Sequence, residues 1–118
     1  MPNPPRLTAY GEGGFRFADG RREGSVLIID EKVEAWPPAR LSEVEPAHFD
    51  PVFAAETPFE FVLFGVGDKL AQPPEEVRER FARATLGLEI MDTGAACRVY
   101  ASLLAEGRRF AAALIAVD

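Results

Sequence analysis

Two stretches constrain this chain more than any others: Phe59–Phe64 and Phe110–Val117. Each is apolar without period-two alternation, apart from Glu60 near the start of the first. A strand that is apolar on both faces must be covered on both faces, which is the situation of an inner strand in an α/β layer structure. The segment between them supplies the covers. Pro73-Pro74 suits the first turn of a helix over Glu75–Leu86, where Val77, Phe81 and Ala84 form one apolar stripe. Gly87 suits a left-handed stop after it. Leu88–Met91 then reads as a short strand, and Asp92 and Thr93 are good N-cap types for a second helix running to about Glu106. Ala96, Val99, Tyr100, Leu103 and Leu104 would form its buried side, and Gly107 would end it. The order is strand–helix–strand–helix–strand, so neighbouring strands joined through a helix are expected to be parallel. The direction of the last strand stays open at this level.

The first third reads differently. Leu7–Phe17 is extended but broken by Gly11, Gly13 and Gly14, and Ala18-Asp19-Gly20 is a turn. Gly24–Asp30 is rich in β-branched residues, and Val33–Trp36 continues as another strand closed by Pro37-Pro38. These pieces suggest one small antiparallel meander. Residues 37–58 contain five prolines and read as irregular, with one helical turn near Phe49–Ala55. The expected fold is therefore α/β and three-layered: a mixed central β-sheet flanked by helices, with an N-terminal antiparallel meander. Residues 1–6 are expected to form a disordered tail, and 7–118 a single domain.

Composition removes several function classes. Thirteen Lys and Arg against nineteen Asp and Glu give a net charge of −6, and neither half of the chain is basic. A nucleic-acid partner held through phosphates is not expected. One cysteine and one histidine provide neither a disulfide framework nor a Cys/His zinc site. Met1–Arg6 carries no apolar signal core, and the longest apolar run of eight residues falls well short of the roughly 20 a membrane helix needs. The expectation is a soluble cytoplasmic protein without membrane insertion, cofactor or metal.

Several segments together resemble a known family. They are Phe64-Gly65-Val66-Gly67, the Pro73-Pro74 helix, Met91-Asp92-Thr93-Gly94-Ala95-Ala96-Cys97-Arg98-Val99-Tyr100 and Leu103 to Leu114, with Tyr10, Gly24-Ser25 and Trp36 in step. The pattern covers roughly residues 7–117. It is similar to a family of small proteins with a domain of unknown function, whose mitochondrial branch includes the third respiratory complex I assembly factor. The resemblance implies a three-layer α/β fold and a role in assembling or docking membrane-complex subunits. It carries over no catalytic residues. Relatives often have Asn after the tyrosine and Thr before it, where this chain has Ala101 and Val99.

Two places could bind something. If the strands ending at Gly65-Val66-Gly67-Asp68-Lys69 and at Asp92-Thr93 are parallel neighbours, both loops share one sheet edge, where open α/β sheets commonly hold ligands. A helix N-terminus there favours an anion, and Gly65, Gly67, Asp92, Thr93 and Arg98 are the candidate ligand-binding residues. The phosphate-loop pattern GxxxxGK[ST] is missing. The second place is protein-facing. Arg108 and Arg109 could offer forked donors to an acidic partner, and Trp36, with Tyr10, Phe15 and Phe17, could form an aromatic docking patch or a homo-oligomer interface. Cys97 and His48 read as packing and loop residues, because neither has an activating partner in sequence. No catalytic set is legible. A non-catalytic interaction module is the first expectation, and a small-molecule or anion binder is the second.

Overall fold

The computed structural model describes residues 4–118. Eight strands and three α-helices follow one another: β1 (Leu7–Gly11), β2 (Gly14–Phe17), β3 (Gly20–Glu23), β4 (Val26–Ile29), β5 (Lys32–Ala35), α1 (Asp50–Phe53), β6 (Phe61–Gly65), α2 (Glu75–Arg83), β7 (Gly87–Met91), α3 (Thr93–Glu106) and β8 (Phe110–Leu114). Strands β1, β2 and β3 make an antiparallel sheet in that order, and the main sheet runs β5-β4-β8-β6-β7. The last strand lies parallel to β6 and antiparallel to β4, so the main sheet is mixed. Strands β6 and β7 are parallel neighbours, as their helical connection requires.

The chain steps outward from β6 to β7, then back across β6 to β8. A constant crossover handedness puts the two connecting helices on opposite faces. The core divides accordingly. On one face Val62, Phe64, Ala111 and Ala113 pack with Val77 and Phe81 of α2 and with Trp36, Phe49 and Val52. On the other, Phe61, Leu63, Ala112 and Leu114 pack with Ala96, Cys97, Tyr100 and Leu103 of α3 and with Phe15 and Phe17 of β2. The absence of alternation in β6 and β8 is thus explained: both inner strands are buried on each face. The first face is aromatic. Phe49 meets Trp36, Phe64 and Phe81 edge-on at ring separations of 5.2, 5.4 and 5.0 Å. Each such pair is worth about 0.5–1.5 kcal/mol beyond its area burial.

The three-layer mixed fold is as expected, with three local differences. The first third is not one meander, because the chain leaves the small sheet at Gly24 (φ +80°) and enters the main sheet at buried Ser25. The Ser25 hydroxyl accepts the Ala116 amide, which fastens this crossing to the end of β8. Strand β3 is an addition to the expected elements, since Gly20–Glu23 is polar. Arg21 holds it by donating to the Gly11 and Glu12 carbonyls. Helix α2 ends at Arg83, and the left-handed residue beyond it is Thr85 (φ +54°) rather than Gly87, which begins β7. Gly107 does end α3 in the left-handed conformation, at φ +69°.

Of the expected tail, residues 1–3 lie outside the described residues. The Pro5 carbonyl accepts the Tyr100 hydroxyl at 2.6 Å, and the Arg6 carbonyl accepts the Ala18 amide at 3.0 Å.

Candidate functional site

The parallel strands β6 and β8 give the molecule two ends that differ in character. At their C-terminal end the two loops singled out by sequence do come together, but they close on each other. Thr93 is fully buried. Its hydroxyl accepts the Gly67 amide at 3.0 Å and donates to the Ile115 carbonyl at 2.8 Å. Its own amide donates to the Gly67 carbonyl. Both the donor and the acceptor capacity of the side chain are engaged in tying α3 to the ends of β6 and β8. Gly65 is what permits the close approach: a Cβ there would lie 3.1 Å from Ala96 Cβ, Leu114 Cδ2 and Thr93 Cα. Asp92 caps α3, its carboxylate accepting the Ala95 amide at 2.8 Å. The helix N-terminus therefore already carries an anion of its own. Arg98 is exposed on α3 and does not join the other four.

The candidate ligand cluster is thus a packed joint. The space near it lies to one side, in a shallow groove of about 710 Å³ whose lining includes Arg40, Gly67, Asp68, Lys69 and the chain end at Ala116–Asp118. Of the five candidates only Gly67 reaches it.

The N-terminal end of β6 and β8 is open. A groove of about 710 Å³ runs between β1 and the C-terminal half of α3. Leu7 and Thr8 form one wall, Ala101, Leu104 and Ala105 the other, and Phe110 belongs to its base. Arg6, Arg108, Arg109 and Asp30 complete its charged lining. Arg109 is fixed: it pairs with Asp30, donates to the Thr57 and Pro58 carbonyls, and stacks 4.3 Å over the Phe59 ring. Arg108 is half exposed; it pairs with Glu60 at 3.2 Å and with Glu106 at 3.7 Å. Glu60 also accepts the Arg109 amide, and that backbone donor, with the Arg108 side chain second, holds its carboxyl below the usual carboxylate range. Sequence reading singled out Arg108 and Arg109 but missed Arg6, Asp30 and the alanine wall. Ala101 and Ala105 are four apart on one helix face, a spacing visible in the chain, whereas Asp30 is brought in only by the pairing of β4 with β8.

Trp36, expected in an exposed aromatic patch, is instead buried. It is 4 % exposed and donates its indole N–H to the His48 carbonyl at 2.9 Å. It sits in the core cluster opposite the one that holds Phe15 and Phe17, so the four aromatics do not form one patch, and only Tyr10 is exposed. Cys97 is 7 % exposed, and burial pushes its thiol up to about 12 in spite of nearby Arg98. That is the opposite of an activated nucleophile. His48 accepts the Glu45 amide through Nδ1 and locks the turn before α1.

Known proteins are similar to this chain in sequence and in fold. The chain is 30% identical over 112 residues to an uncharacterized protein of Rhodobacter capsulatus, covering 92% of this chain and 82% of that one. It is 28% identical over 90 residues to a protein of Francisella tularensis named 13 kDa major membrane protein, covering 76% of this chain and 68% of that one. A crystal structure described as an outer membrane protein from Bartonella henselae superposes with a TM-score of 0.87 at 34% identity, covering 100% of this chain and 99% of that one. Residues 7–115 match the model of a protein family of unknown function, DUF498/DUF598, and the chain belongs to that family.

Proposed function

We propose that the protein is a non-catalytic interaction module of the cytoplasm that docks subunits of a membrane complex during assembly. The observation that carries this reading is the contrast between the two ends of the sheet. At the end where α/β sheets commonly hold small molecules the Thr93 joint closes the two loops on each other and leaves a shallow groove to one side, while at the other end the groove runs between β1 and α3 with arginines at its rim. The resemblance to assembly factors points the same way, and two similar proteins bear membrane-protein names. No helix among the described residues is long and apolar enough to cross a membrane. In this reading the contact with a membrane complex is made to its protein subunits.

The test is capture of the full-length chain at native expression level from membrane and soluble fractions, read by mass spectrometry. Enrichment of the subunits of one membrane complex is the expected result. Absence of any protein above background in both fractions would overturn the reading.

A small-molecule site is the second reading, favoured by the groove beside Gly67, Lys69 and Arg40. A panel of carboxylate and phosphate metabolites, screened by thermal shift against wild type and Lys69→Ala, decides it. A stabilisation lost in the variant would establish that site.

A further inference from the structure

If the protein is an interaction module, the groove at the open end has features that narrow its occupant, and the assignment of that occupant rests on the module reading. The first wall of the groove is the start of β1, the terminal strand of the small sheet, which among the described residues pairs only with β2 and so has one edge without a strand partner. Its second wall is a helix that presents alanines at 101 and 105, both exposed. A trough between an edge strand and a helix, floored by apolar side chains, is a form that takes extended peptides. The small alanine side chains leave room for alternate side chains of a visitor to point inward. The irregularity between Leu7 and Ala9 limits how far a visiting strand could pair with β1, so side-chain recognition must contribute much of the affinity.

Charge selects among peptides. The chain as a whole has nineteen acids against thirteen Lys and Arg, yet among the described residues this groove is lined by three arginines and a single acid, with Glu60 and Glu106 beside it on Arg108. Arg109 is consumed by Asp30 and by backbone carbonyls. Arg6 is exposed and makes no ion pair among the described residues, and Arg108 lies half exposed on its two pairs. A guanidinium offers a planar fork that fits one carboxylate bidentately. An extended polyanion is disfavoured by the net charge of −6, and the groove lining offers no exposed aromatic platform for bases.

We infer that the groove between β1 and α3 receives an extended peptide segment that carries an acidic side chain, laid beside β1 with its carboxylate on Arg6 and Arg108.

The test starts from a random peptide library displayed on phage and panned against the full chain. Enriched peptides are synthesised with a fluorescent label and titrated by anisotropy into wild type, Arg6→Glu and Ala101→Trp. Both positions are exposed, and thermal melting verifies that each variant keeps its fold. Enriched peptides should contain an acid flanked by apolar residues, and each variant should weaken binding by about tenfold or more, the scale of one lost charge-assisted contact. Hydrogen exchange of wild type with bound peptide should slow amides at Leu7 and Thr8, the residues of β1 that line the groove. Enrichment of peptides without acids, binding to either variant as tight as to wild type, or no enrichment at all would overturn the inference. The two readings fail separately. If native capture returns partners and both variants keep them, the groove assignment is wrong and the module reading stands. If acidic peptides bind the groove while capture returns nothing, the groove assignment stands and the module reading is wrong.

Discussion

The C-terminal and N-terminal ends of β6 and β8 are similar prospects in sequence, with a glycine-bearing pair of loops at one and an arginine pair at the other. In three dimensions they diverge because of what lies beside the charged and flexible residues. At the C-terminal end Gly65 removes a side chain where Ala96 and Thr93 press in, and Thr93 uses its hydroxyl to join two strands. At the N-terminal end Gly107 turns α3 away, and β1 stands off from the helix enough to leave a groove. Glycine can admit a ligand or admit the protein's own backbone, and only the neighbouring layer decides which.

The comparison is broken most forcefully at the joint. Thr93→Val leaves the Gly67 amide and the Ile115 carbonyl without their hydroxyl partner inside the protein. It should cost about 2–6 kcal/mol in urea unfolding, because each of the two buried unsatisfied groups costs about 1–3. A variant of wild-type stability would mean that the joint is not closed. Gly65→Ala should follow at about 1–3 kcal/mol from overpacking against Ala96 and Leu114, measured the same way.

At the other end the effects shrink. Arg109→Gln breaks the Asp30 pair and the carbonyl contacts at a partly exposed site, for an expected loss of about 1–2 kcal/mol. Cys97 sharpens the contrast from within α3. At pH 8 its thiol should react with a disulfide reagent only in unfolded protein, and fast labelling of the native chain would contradict its burial. The smallest effect belongs to Glu60. Its folded pKa is depressed, so its contribution is present above the ordinary carboxylate range and is lost as pH falls through the lower folded value. Glu60→Gln should remove that part of the acid-side slope of stability against pH, and an unchanged slope would count against the Arg108 and Arg109 contacts.

Most of the layer structure was legible because it rests on local patterns. Unalternating runs marked β6 and β8, the Val77/Phe81 stripe marked α2, and Asp92 and Gly107 bracketed α3. Residues whose role depends on distant partners were not legible. The Thr93 hydroxyl meets groups 26 and 22 residues away, and Arg109 meets Asp30 across 79. Nothing in the polar segment Gly20–Glu23 announces a strand, since Arg21 bonds to carbonyls of the hairpin it joins. Trp36 misled for the same reason: the small and main sheets split at Gly24, which sends Trp36 to the face opposite Phe15 and Phe17.

The claim that contacts with other proteins are made at the arginine-rimmed end is tested most directly by capturing partners side by side with wild type, Ala101→Trp and Lys69→Ala. Ala101→Trp fills the groove from an exposed helix position and should change stability by no more than about 0.5 kcal/mol. Wild type and Lys69→Ala should retain the same subunits, and Ala101→Trp should lose them. Retention by Ala101→Trp together with loss in Lys69→Ala would place the working surface at the other end of the sheet and contradict the account.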